Sequence, residues 1–97
     1  MATDLTVAKT ILEQIKTIDP RALWAWGAKD YVGSDDSIQF KVGGATRWKG
    51  TVIVKLNGSD FYDVRFIRLR GTKFLEDVTK NDIYAEDLVN TLDEKIG

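Results

Sequence analysis

Lys41, Arg47, Trp48, Lys49, Lys55, Arg65 and Arg68 bring six cations and one indole into the middle of the chain. Cations bind anions, and a flat ring among them offers unstacked bases or an apolar partner a surface to lie on. The charge count singles out the same stretch. Residues 41–73 carry eight Lys and Arg against two Asp, a net charge of plus six. Residues 1–40 hold four basic and six acidic groups, and residues 74–97 hold two basic and seven acidic groups. The overall net charge of -1 hides this segregation. Three kinds of partner fit it: a protein docked on the basic segment, nucleic acid on a basic sheet face, or a small anionic ligand such as a nucleotide messenger in a pocket near Arg47, Lys49 and Arg68. A whole-chain pI of 5.3 lies well below the value of about 9 usual for a dedicated nucleic-acid binder. The acidic last segment supports one further reading, a charge mimic of nucleic acid that blocks a basic partner through Asp82, Glu86, Asp87, Asp93 and Glu94.

Most catalytic chemistry is excluded by what the chain lacks. It has no His and no Cys, so a Ser-His-Asp or Cys-His pair, a thiolate or imidazole metal site and a disulfide framework are all ruled out. Gly27 and the Gly43-Gly44 pair match neither a P-loop nor a dinucleotide fingerprint, and read as turn or bulge residues. Asp35-Asp36 and Glu86-Asp87 do not alternate as oxygen ligands of a cation loop, and read as solvated carboxylates. No catalytic residue, metal site or cofactor is expected, and the chain is read as non-enzymatic.

The elements that must position the cations follow from periodicity. With 97 residues, 43% hydrophobic, the chain is read as one domain over residues 1–97 with a modest core of its own. Ala8, Ile11, Leu12, Ile15 and Ile18 recur at spacings of three and four, which predicts a first helix capped by Thr3 or Asp4. Asp19-Pro20 ends it, with one further short turn reaching Leu23. The run from Trp24 to Val32 reads as a strand whose Trp24 and Trp26 enter the core, paired through a Gly33–Asp36 turn with Ser37–Val42. A glycine-bounded loop then carries Trp48, for which packing and partner binding stand as equal readings. Thr51–Leu56 and Phe61–Arg70 form a second hairpin across Asn57-Gly58-Ser59-Asp60, and Lys73–Lys80 is a charged edge strand. Asn81 or Asp82 caps a last helix with a stripe of Tyr84, Leu88, Leu92 and Ile96. The expected fold is therefore α+β: helix, antiparallel meander of about five strands, helix, as a two-layer sandwich with both helices on one sheet face. The other face would display Gln39, Lys41, Ile53, Lys55, Asp63, Arg65 and Ile67, as a binding surface or as ordinary solvated strand positions.

No stretch approaches the roughly 20 consecutive apolar residues of a membrane span, and the first residues show no secretory signal pattern, so a cytoplasmic location is expected. The exposed sheet edge allows a monomer or a homodimer.

Several segments resemble small proteins encoded by tailed phages, prophages and conjugative elements. They are Gly27-Ala28-Lys29-Asp30-Tyr31-Val32-Gly33, Ser37-Ile38-Gln39-Phe40, Asp60-Phe61-Tyr62-Asp63-Val64-Arg65-Phe66, Arg68-Leu69-Arg70-Gly71 and Ile83-Tyr84-Ala85-Glu86-Asp87-Leu88. The resemblance brings no activity or functional residue with it. What it implies is a setting, a bacterial host cytoplasm, and a role common there: occupying a host or phage protein, including as an inhibitor of a defence system.

Overall fold

The computed structural model describes residues 5–44, 46–59 and 61–97. Helix α1 (Thr6–Ile18) is followed by a short α2 (Ala22–Ala25), then β1 (Lys29–Gly33), β2 (Ser37–Val42), β3 (Gly50–Leu56), β4 (Tyr62–Arg70) and β5 (Lys73–Ile83). A single 3-10 turn (Ala85–Asp87) leads into α3 (Leu88–Ile96). The strands form one antiparallel sheet in the order β1-β2-β3-β4-β5, each hydrogen-bonded to its sequence neighbour. This is the α+β meander that the residue pattern predicts. The N-cap expected at Thr3 or Asp4 lies outside the described residues, as does Asp60 of the second hairpin turn.

Alternation along the strands decides what covers what. Ile38, Phe40, Val52, Val54, Val64 and Phe66 all point to one face and are buried there. Helix α1 lays Ala8, Ile11 and Ile15 on that face, and α3 adds Leu88, Val89, Leu92 and Ile96. Tyr62 on β4 donates its hydroxyl to Gln14 of α1, tying sheet to helix. Both long helices therefore lie on the same face. At about 1.5–3 kcal/mol for each large apolar side chain fully buried, this single layer of contacts carries the fold. Among the described residues no polar or charged side chain is buried, and no helix is long and apolar enough to cross a membrane.

Two segments differ from the sequence expectation. Residues 24–28 do not extend β1. Ala28 N–H bonds to Leu23 C=O at 2.9 Å and Gly27 N–H to Trp24 C=O at 3.0 Å, the paired closure that ends a helix on a left-handed glycine. Gly27 supplies that conformation at φ 63°. The helical turn sends the two tryptophans in different directions: Trp26 is buried, whereas Trp24 is 85% exposed.

The second difference is at the chain's last helix, which does not begin at Asn81 or Asp82. Asp82 adopts φ 57° in a bulge of β5 opposite Asp63, and its N–H is held by Asp63 Oδ1 at 3.1 Å. Asn57 Nδ2 bonds to both carboxylates, at 3.1 and 2.9 Å. Short polar side chains that could cap a helix here stabilise a strand irregularity instead. The strand consequently runs on to Ile83, and Tyr84 stacks edge-on against Phe61 with ring centroids 4.8 Å apart rather than joining the buried stripe.

Candidate functional site

Among the described residues no helix packs on the sheet's other face, and the strand register states what it presents. One row crosses the sheet as Val32, Gln39, Ile53, Arg65 and Thr79; the next as Lys29, Lys41, Thr51, Ile67 and Asp77. Beyond these rows Arg68 pairs with Glu76 but Leu69 pairs with Phe74, so Leu75 is the extra residue of a bulge. That shift places Phe74 directly opposite Leu69 at the hairpin end. Ile53, Ile67, Leu69 and Phe74 thus form a diagonal apolar band. Ile67 is covered by its neighbours, while Leu69 is 54% and Phe74 58% exposed.

The cations expected on this face are there, most of them with a carboxylate close by. Lys41 Nζ lies 3.9 Å from Asp30, Lys55 Nζ lies 3.7 Å from Asp36, and Arg65 forms a two-pronged pair with Asp77 at 2.9 and 2.6 Å. The last pair holds Asp77 below the usual carboxylate range, chiefly through the hydrogen bonds from Arg65. Exposed pairs of this kind contribute little to stability. They do define a polar rim around the apolar diagonal.

The remaining predicted residues are not part of that face. Arg47 Nη2 donates to the Glu94 carbonyl oxygen at 2.9 Å, so its charge serves the carbonyl end of α3. Trp48 is 7% exposed and belongs to the core. Its ring meets Phe66 edge-on at 5.6 Å, its backbone N–H bonds to Ile96 C=O at 3.1 Å, and its indole N–H bonds to Glu76 at 3.1 Å. Gly50 makes room for it, since a Cβ there would stand 2.6 Å from the indole ring. Arg68, opposite Glu76, shares the helix-covered side of the sheet with Trp48. Of the seven candidates, the fold brings Lys41, Lys55 and Arg65 onto the open face, with Lys49 at one end of it. It sends Arg47, Trp48 and Arg68 to the other side.

Sequence reasoning missed Leu69 and Phe74, because a bulge at Leu75 is needed to align them, and missed Lys29, which lies directly across from Lys41. The acidic residues of the last segment are also partly committed to structure: Asp93 accepts from the Trp26 indole at 3.1 Å and Asp82 from Asn57. The chain matches no protein-family model, no curated protein and no solved structure.

Proposed function

We propose that the protein is a non-enzymatic interaction module that docks another protein on its open sheet face. The observation that carries this reading is the apolar diagonal of Ile53, Ile67, Leu69 and Phe74, left uncovered at its hairpin end and bordered by Lys41, Lys55 and Arg65. An apolar centre within a charged rim is the usual anatomy of a protein interface. The cations of the rim favour a partner whose own apolar patch is bordered by carboxylates. In the bacterial, mobile-element setting implied by the resemblance, that partner is a host or phage protein, and the module acts by occupying it. Nucleic acid is the second reading. It is less well supported, because Lys41, Lys55 and Arg65 already face carboxylates and, among the described residues, Phe74 is the one aromatic that the register places on this face.

A paired capture tests the reading. Tagged wild type and the Leu69→Asp/Phe74→Asp variant are used as baits in bacterial lysate with and without nuclease treatment. A protein retained by the wild type and lost by the folded variant supports docking on this face. Retention by both baits, or retention that vanishes with nuclease, contradicts it.

A further inference from the structure

At the end of the open face away from Lys55, β1, β2, the loop before β3 and the adjoining parts of β3 and β4 border an open groove of about 650 Å³. This is within the size range of small-ligand sites, roughly 300–1,000 Å³. Three lysines line it. Lys29 and Lys41 are direct cross-strand partners, an arrangement of like charges that disfavours the pairing it sits on. Lys49 joins them from the loop, its side-chain stem lying against the Gly43 backbone, where an added Cβ would be 3.6 Å from Lys49 Cγ. Against these three cations stands one carboxylate, Asp30, 3.9 Å from Lys41. Lys29 and Lys49 pair with no carboxylate among the described residues. Lys55 and Arg65 on the same face each have their own. On the open face, the groove is therefore where lysines stand without a carboxylate partner.

The lining also indicates the ligand's chemistry. Lysine ammoniums are point charges with rotatable donors, suited to the several oxygens of a phosphate, and the groove has no arginine fork for a planar carboxylate. Thr51 adds a hydroxyl, while Ile67 and Leu69 provide an apolar wall beside the cations. We propose that this groove binds a small phosphate ester of mononucleotide size, its phosphates on Lys29, Lys41 and Lys49 and its uncharged body against Ile67 and Leu69. The groove shares Lys41, Ile67 and Leu69 with the proposed docking face, but Lys29 and Lys49 belong to the groove alone, Phe74 lies outside it, and its probes are small anions.

The test is an NMR titration of ¹⁵N-labelled protein with adenosine triphosphate, with inorganic triphosphate and with a short oligothymidylate. Saturable amide shifts centred on Gly43, Gly44 and Thr51 are expected with both triphosphates, with the nucleotide binding more tightly because it also uses the apolar wall. Lys29→Gln and Lys49→Gln should each weaken binding about tenfold, the loss expected for one charge-assisted hydrogen bond. Lys16→Gln, on the exposed side of α1, should leave it unchanged. All three lysines are exposed, and unchanged amide spectra away from the substitution will show that the variants fold. Absence of saturation, or wild-type affinity in both the Lys29 and the Lys49 variant, overturns the proposal. Tighter binding of the oligonucleotide, with a footprint extending to Lys55 and Arg65, overturns it in favour of a nucleic-acid surface.

Discussion

The indole N–H of Trp48 donates to Glu76 Oε1 at 3.1 Å, and the other carboxylate oxygen of Glu76 receives the ammonium of Lys95. One half-buried carboxylate on β5 thereby holds together the loop before β3 and the last turn of α3. Lys95 Nζ also lies 5.7 Å from the Trp48 ring centroid, within cation–π range.

This arrangement makes the fold sensitive to acid. The hydrogen bond from Lys95, and next that from Trp48, hold the Glu76 carboxyl below the usual carboxylate range. A carboxylate depressed on folding adds stability above its unfolded value, about pH 4.3 for Glu, and that stability is lost as pH falls through the lower folded value. Urea denaturation of wild type should show stability declining over this acid limb, and Glu76→Gln should flatten it while lowering stability at neutral pH. Asp77, depressed by Arg65, titrates in the same direction, so some slope will remain. An identical acid limb in the Glu76 variant would contradict the role given to this contact.

Trp48 and Trp24 should behave as opposites. Removing the buried ring in Trp48→Ala should cost about 3–5 kcal/mol, a large share of the stability of a small domain. Gly50→Ala should cost about 1–3 kcal/mol by overpacking, since its Cβ would lie 2.5 Å from the Ile67 carbonyl oxygen as well as against the indole. Trp24→Ala should change stability by no more than about 0.5 kcal/mol. Fluorescence quenching offers an independent check: iodide should quench a component that disappears in Trp24→Phe.

Much of this architecture could be read in the residues themselves. Period-two alternation in Ser37–Val42 and in the β3–β4 hairpin gives both the strands and the face that each side chain takes, and the spacing of Ala8, Ile11 and Ile15 gives α1. The failures have local causes. Around Trp24-Ala25-Trp26, aromatic residues that favour strands are overruled by four residues of helix closed on Gly27, a left-handed terminator that also reads as a simple turn. At Asp82 a side chain able to cap a helix is recruited across the sheet by Asn57 and Asp63, partners distant in sequence. The site was legible in part for the same reason: alternation placed Lys41, Lys55 and Arg65, but the bulge that aligns Phe74 with Leu69 and the loop packing that buries Trp48 depend on tertiary contacts.

Trp26 connects the end of α2 to α3 through its bond to Asp93 at 3.1 Å. Trp26→Phe keeps most of the apolar volume and loses this bond, for an expected cost of about 0.5–1.5 kcal/mol. Trp26→Ala should cost about 3–5 kcal/mol because it also opens a cavity. Chemical denaturation of the two variants separates the contributions, and equal losses would show that the Asp93 bond is the main one.

Gly27 should resist substitution for two reasons. At φ 63° an alanine incurs the left-handed penalty of about 1–2 kcal/mol, and its Cβ would stand 3.2 Å from the Gly43 carbonyl oxygen. Gly71 has a similar φ of 61° but open space around it. Gly27→Ala should therefore lower the thermal midpoint more than Gly71→Ala does; the reverse order would contradict the close approach of the two loops.

The central claim is that the uncovered apolar diagonal is a docking surface for a protein with an acidic rim. Its most direct test is the affinity of the captured partner, measured by surface plasmon resonance at low and high salt. The wild type should bind saturably and more weakly as salt rises. Leu69→Asp/Phe74→Asp should lose at least about a hundredfold in affinity, the effect of removing two central contacts, while its thermal midpoint stays close to that of wild type. Unchanged affinity in that variant, with binding lost instead when Glu86, Asp87 and Glu94 are neutralised, would move the interface to the acidic segment and contradict the account.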